Sequence, residues 1–67
     1  MSKLLSSREI ISILEKNGFV FKSQKGSHAK FIKEAHVVII PHPKKEIPAG
    51  TFQSILRQSG LKREAFE

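Results

Sequence analysis

The stretch FVFKSQKGSHAKFIKEAHVVII, residues 19–40, decides the fold of this chain. It contains three short runs rich in β-branched and aromatic residues, which are typical of β-strands. The runs cover residues 19–24, 28–33 and 36–40. Only residues 25–27 and 34–35 separate them, and connections this short cannot hold a crossover helix. The spacing therefore predicts an antiparallel three-stranded meander.

A helix is predicted before the meander. Ser6 and Glu9 have the spacing of a capping box, in which each residue satisfies a backbone N–H of the other. Apolar residues follow at helical intervals. Asn17-Gly18 is a typical helix end because glycine tolerates the left-handed conformation.

A second helix is predicted after the meander. Pro48 suits its first turn and Gly60 suits its end, and a short further turn is predicted within residues 62–67. The whole chain, residues 1–67, is therefore predicted to be one α+β domain of order α-β-β-β-α. Both helices are expected on one face of the three-stranded antiparallel sheet.

The composition narrows the class of protein. The chain has 67 residues and no cysteine, so neither a disulfide nor a thiolate zinc site can stabilise it. Its longest apolar run, residues 37–40, is too short to span a membrane, and no secretory signal is evident at the N-terminus. We expect a soluble domain in the cytoplasm.

The charge favours an anionic partner. Twelve Lys and Arg residues stand against six acidic ones, which gives a net charge of +6. Such an excess attracts nucleic acid through long-range attraction and counterion release. The alternative is a basic surface that serves only solubility.

One histidine is a candidate for chemistry. Side chains alternate along a strand, so His28 and Lys30 share one face, while Ala29 and Phe31 share the other and are predicted to enter the core. Lys25, just before the turn, can approach His28. An imidazole beside ammonium groups suits cleavage of a phosphodiester, because the imidazole can transfer a proton while the lysines offset negative charge. On its position alone, a histidine at a strand end is more often an ordinary surface residue.

Other chemistries fit the sequence less well. Ser27 and His28 are adjacent in a strand and point to opposite faces, so they do not form a hydrolase dyad. A zinc site would need His28, His36 and His42 to converge from separate positions, and no metal or other cofactor is expected.

The loop after the third strand contains a further histidine and two lysines. His42 lies between two prolines, and we favour a structural role for it, whereas Lys44 or Lys45 could hold a phosphate. We expect His36 to be an ordinary strand residue.

The third strand has apolar residues on both of its faces. Val37 and Ile39 alternate with Val38 and Ile40, so one pair must leave the face that the helices cover. An exposed apolar row can mark a partner surface, and cover by the chain's own loops is the alternative.

Several of these segments together resemble the HicA toxins of bacterial and archaeal toxin–antitoxin pairs. The similarity covers nearly the whole chain in order and spacing, although no single motif is specific. The segments that carry the resemblance are Asn17-Gly18-Phe19, Lys25-Gly26-Ser27-His28, Ile39-Ile40-Pro41-His42-Pro43, Ile47-Pro48-Ala49-Gly50-Thr51, Ile55-Leu56 and Gly60-Leu61. Ala29 is a departure, because the family often has a larger residue there.

The resemblance implies a fold like that of a double-stranded-RNA-binding domain and a metal-independent endoribonuclease that cleaves mRNA. It places the family's catalytic histidine at His28. It also implies a HicB-type antitoxin that covers this residue, with the toxin monomeric when free and hetero-oligomeric when bound. From their positions, we expect RNA contacts from Lys25, Ser27, Lys30, Lys44 and Lys45.

Two other functions remain open from the sequence. A non-catalytic module that binds double-stranded RNA would explain the fold order and the charge but would give His28 no special task. A protein–protein adaptor would use the apolar outer strand as its interface and would bind RNA weakly.

Overall fold

Two α-helices, three strands and a terminal 3₁₀-helix follow one another in residues 4–67, which the computed structural model describes. They are α1 (Ser7–Lys16), β1 (Val20–Lys25), β2 (His28–Lys33), β3 (His36–Pro41), α2 (Ala49–Ser59) and the 3₁₀-helix (Arg63–Phe66). The predicted α+β class and the order α-β-β-β-α are therefore confirmed. The short turn predicted after α2 is the 3₁₀-helix.

The start of α1 is closed by the predicted capping box. Ser6 Oγ accepts a hydrogen bond from Glu9 N at 3.0 Å, and Glu9 Oε1 accepts one from Ser6 N at 2.8 Å. The end of α1 differs slightly from the prediction. Phe19 was expected to open the first strand, but its N–H donates to Leu14 O at 3.0 Å. Phe19 therefore closes the helix, with its side chain buried, and the strand begins one residue later.

The three strands form one antiparallel sheet with β2 in the centre. Ala29 lies opposite Ile40 and Phe31 lies opposite Val38, and all four side chains are buried. The β1–β2 pairing is irregular near Lys22, between Phe21 and Ser23. This register assigns one face of β2 and β3 to the core and leaves the other face, called here the open face, without a helix.

The core lies between the sheet and the helices. Buried residues of α1, α2, the loop before α2 and the 3₁₀-helix join those of the sheet; they are Ile10, Leu14, Ile47, Ile55 and Phe66. Lys33 reaches from β2 to α1 and donates from Nζ to Asn17 O at 2.7 Å. Within residues 4–67, no helix has the length and apolar character to cross a membrane.

Candidate functional site

The open face of the sheet brings three of the predicted site residues together. Lys25 is the cross-strand partner of His28, and directly opposed residues in antiparallel strands project their side chains to the same face. Lys30 follows His28 by two positions and therefore shares this face. Within residues 4–67, none of these three exposed side chains forms a hydrogen bond or ion pair with the protein. The two ammonium groups and the imidazole are thus available to a ligand.

A tight turn positions His28 at the end of the sheet. Only Gly26 and Ser27 separate β1 from β2, and Gly26 has a φ of 59°. A positive φ at the first central residue, followed by a residue without one, fits the type II′ hairpin turn, which favours glycine at that position. His28 is consequently the first residue of its strand, directly after the turn.

The β1–β2 turn is hydrogen-bonded to the segment that follows β3. His42 N donates to Ser27 O at 2.8 Å, and Gln24 Nε2 donates to His42 O at 3.0 Å. Both backbone polar groups of His42 are therefore bound to the end of the β1–β2 hairpin. The structure uses the backbone of Ser27 in this way, and its side chain remains exposed.

Lys44 and Lys45 lie at the same end of the sheet but not beside His28 on the open face. They line a shallow pocket at the start of α1, together with Arg8 and His42. Lys44 is held there by two hydrogen bonds to Ser7, because Ser7 N donates to Lys44 O and Lys44 N donates to Ser7 Oγ, each at 2.9 Å. The sequence did not indicate Arg8 as part of this group, because its position inside the capping box carries no signal that residues 42–45 lie nearby.

The three histidines have three separate environments. His42 Nδ1 lies 2.7 Å from Ser7 Oγ, so its imidazole binds a buried side chain, and the structural role favoured for this residue has a defined partner. His36 is not merely a strand residue, because its Nδ1 lies 3.1 Å from Gln58 O at the end of α2. Across residues 4–67, no three His, Cys, Asp or Glu side chains are grouped so that they could hold a metal ion.

The other end of the open face is apolar. Val20, Ile32 and Val37 are aligned across the three strands, and Val20 and Val37 are 58% and 45% exposed. Ile39, paired with Lys30, is half-buried and joins this row to the cationic end. Of the two apolar pairs on β3, Val38 and Ile40 therefore enter the core while Val37 and Ile39 leave it.

A protein-family model matches most of this chain. The family model described as the HicA toxin of bacterial toxin–antitoxin systems matches residues 7–61 of the 67-residue chain. This range contains every element from α1 to α2 and the whole open face. A search of the curated proteins returns no match. Because the family model covers far more than half of the chain, the protein belongs to the HicA toxin family of bacterial toxin–antitoxin systems.

Proposed function

We propose that this chain is a metal-independent endoribonuclease that cleaves mRNA in the cytoplasm, with His28 as its catalytic residue. The observation that carries the proposal is the exposed imidazole of His28 opposite Lys25 and beside Lys30, in a chain of the HicA family. The family resemblance supplies the reaction class and the role of the histidine. The cationic surroundings supply what an RNA phosphate requires.

Cleavage proceeds by internal attack of the ribose 2′-hydroxyl on the adjacent phosphorus. His28 accepts the 2′-hydroxyl proton or gives one to the departing 5′-oxygen. The O2′–P bond forms as the P–O5′ bond breaks, which leaves a 2′,3′-cyclic phosphate and a 5′-hydroxyl. Lys25 and Lys30 stabilise the additional negative charge on the phosphoryl oxygens in the transition state.

A HicB-type antitoxin neutralises the toxin by covering the open face. The apolar row formed by Val20, Ile32 and Val37 lies on the same face as His28. A partner that buries this row would gain hydrophobic stabilisation and would at the same time block access to the imidazole. The free toxin is then a monomer, and the inhibited form is a hetero-oligomer.

The test is incubation of the purified chain with a mixed RNA in excess EDTA, followed by analysis of the product ends. Two variants accompany it: His28→Ala, and His36→Ala as a matched control that removes an imidazole at the opposite end of the sheet. We expect cyclic phosphate ends from the parent chain and from His36→Ala, and no cleavage by His28→Ala. Cleavage of an RNA whose 2′-hydroxyl groups are methylated would contradict the mechanism, and equal cleavage by all three chains would contradict the choice of residue.

The second candidate is a non-catalytic module that binds double-stranded RNA. The α-β-β-β-α order and the net charge of +6 favour it, since shape recognition of RNA relies on backbone contacts. Under this alternative, neither the parent chain nor His28→Ala cleaves RNA, and both bind it with the same salt dependence.

A further inference from the structure

The pocket at the start of α1 is lined by positive charge and by no acidic side chain of residues 4–67. The cationic residues that line it are Arg8, Lys44 and Lys45. The three cationic side chains are exposed and make no ion pair within that part. Like charges brought together repel each other, so an arrangement of this kind is favourable mainly when an anion joins it.

His42 adds a hydrogen-bond donor of fixed identity to this pocket. Ser7 is buried, and its hydroxyl already accepts a hydrogen bond from Lys44 N. Among residues 4–67, the only other partner of that hydroxyl is His42 Nδ1, at 2.7 Å. A buried hydroxyl hydrogen without an acceptor is costly, so Ser7 donates to Nδ1. The neutral imidazole therefore carries its proton on Nε2, which has no protein partner among residues 4–67.

Three of the backbone N–H groups at the start of α1 already have partners within the protein. Those of Ser6 and Glu9 are used by the capping box, and that of Ser7 donates to Lys44 O. An anion in the pocket would therefore be held mainly by side chains, namely the guanidinium of Arg8, the two ammonium groups and the imidazole Nε2–H of His42.

The pocket lies close to His28 but around the end of the sheet. Pro41 is the cross-strand partner of His28, and His42 is the next residue. The Cα atoms of His28 and His42 are consequently within about 9 Å of each other, from one chain step and one interstrand spacing. An RNA strand that leaves the open face at His28 and passes this end would meet the pocket with a neighbouring phosphate.

We infer that the pocket of Arg8, His42, Lys44 and Lys45 is a second phosphate-binding subsite for RNA, which holds a backbone phosphate next to the one at His28. The inference rests on the proposed function for the identity of the ligand. It assigns Arg8 and the His42 Nε2–H to RNA binding. It also predicts the path of the RNA, from the open face around the end of the sheet toward α1.

The test measures binding of a short single-stranded RNA in the His28→Ala background, so that cleavage does not interfere. Lys44→Gln/Lys45→Gln removes two exposed cations from the pocket. Lys16→Gln/Arg57→Gln removes two exposed cations at the opposite end of the molecule, where Asn17 and Gln58 meet the far end of the sheet. The two double variants have the same net charge, so their difference reports position alone.

Counterion release gives the expected size of the effect. The slope of log Kobs against log salt is about −0.7 for each phosphate that a single strand has neutralised. Loss of two contacts should make this slope shallower by about 1.4. If parent and variant bind equally at 1 M salt, the variant should therefore bind roughly 25-fold more weakly than the parent at 0.1 M salt. The control pair should change binding by about twofold or less, because its charges lie toward the far end of the sheet and salt screens exposed charges over about 10 Å.

Two histidines, His36 and His42, remain in the His28→Ala chain, which makes imidazole nitrogen NMR a direct second readout. We expect the Nε2 signal of His42 to shift when RNA is added and that of His36 to stay unchanged. Equal weakening by both double variants, weakening by neither, or an unchanged His42 signal would overturn the inference. If the parent chain cleaves RNA but the pocket variants bind normally, the subsite is wrong and the proposed function stands. If the pocket variants bind poorly but the parent chain does not cleave RNA, the subsite stands and the proposed cleavage is wrong.

Discussion

Replacing Ser7 by alanine tests whether one buried hydroxyl holds the segment after β3 against α1. Ser7 Oγ accepts a hydrogen bond from Lys44 N at 2.9 Å and donates to His42 Nδ1 at 2.7 Å. The substitution removes both, and each net hydrogen bond contributes about 0.5–1.5 kcal/mol to stability. We therefore expect the free energy of unfolding to fall by about 1–3 kcal/mol. For a domain of this size, each kcal/mol lowers Tm by roughly 4–8 °C.

Ser59 provides a matched control, because it is the other buried serine of the described chain. Its hydroxyl donates to Leu56 O at 2.9 Å and accepts from Leu61 N at 3.0 Å. Ser59→Ala also removes two hydrogen bonds and should therefore lower stability by the same amount, about 1–3 kcal/mol. Only Ser7→Ala removes hydrogen bonds from Lys44 N and His42 Nδ1, so only Ser7→Ala should weaken RNA binding.

The assay has two parts. Urea unfolding is monitored by circular dichroism, and RNA binding is measured at a temperature where both variants are folded. A Ser7→Ala chain as stable as its parent would refute the assigned role of the hydroxyl. Equal loss of RNA affinity in Ser7→Ala and Ser59→Ala would show that destabilisation, rather than the position of the pocket residues, explains the loss.

Three further substitutions have expected outcomes. Gly60→Ala places a Cβ 2.6 Å from His36 Cε1 at a φ of 71°, so it should cost about 2 kcal/mol from backbone strain and displacement of the imidazole; urea unfolding should show a smaller cost in a His36→Ala background. Phe66→Ala empties a core position from the 3₁₀-helix and should cost about 3–5 kcal/mol, measured as a large drop in Tm. Val37→Glu, at a position 45% exposed, should change stability by only about 0.5 kcal/mol and should weaken binding of a HicB-type antitoxin about tenfold or more in calorimetry; unchanged antitoxin affinity would remove the apolar row from the proposed interface.

Most of the fold could be predicted because its signals are local. The capping box of Ser6 and Glu9 needs only a spacing of three residues, and the strands need only alternation between short turns. Alternation also assigned Ala29 and Phe31 to the core correctly. The position of Phe19 was wrong by one residue, since whether its N–H serves the helix or the strand depends on how the chain leaves α1.

The candidate site could be predicted only in part. Lys25, His28 and Lys30 are close in sequence, so one hairpin register brings them together. The pocket joins Arg8 and Ser7 to residues 42–45, and such contacts across more than thirty residues depend on how α1 packs against the sheet end. The contact of His36 with α2 was not predicted for the same reason, because its partner, Gln58, is distant in sequence.

The polar side chains at the two ends of the sheet differ in whether they have protein partners. At one end, Lys33 binds the carbonyl of Asn17, His36 binds that of Gln58, and Gln58 Oε1 accepts the N–H of Ile39 at 3.0 Å. Polar side chains there are used to hold the helices in place. At the opposite end, the cations and His28 have no protein partner in the described chain.

An acidic residue lining the pocket would relieve the repulsion between the cations, but under the proposed function it would also occupy the place of a phosphate. Under the proposed function, the unpaired charges reduce stability in exchange for an accessible anion site, as is common where function and stability compete. A chain of only 67 residues has a small core and little stability in reserve. The hydrogen bonds at the far end of the sheet and those of the Ser7 hydroxyl offset part of the lost stability and leave the cations unpaired. The proposed function therefore depends on where these bonds lie as well as on how many there are.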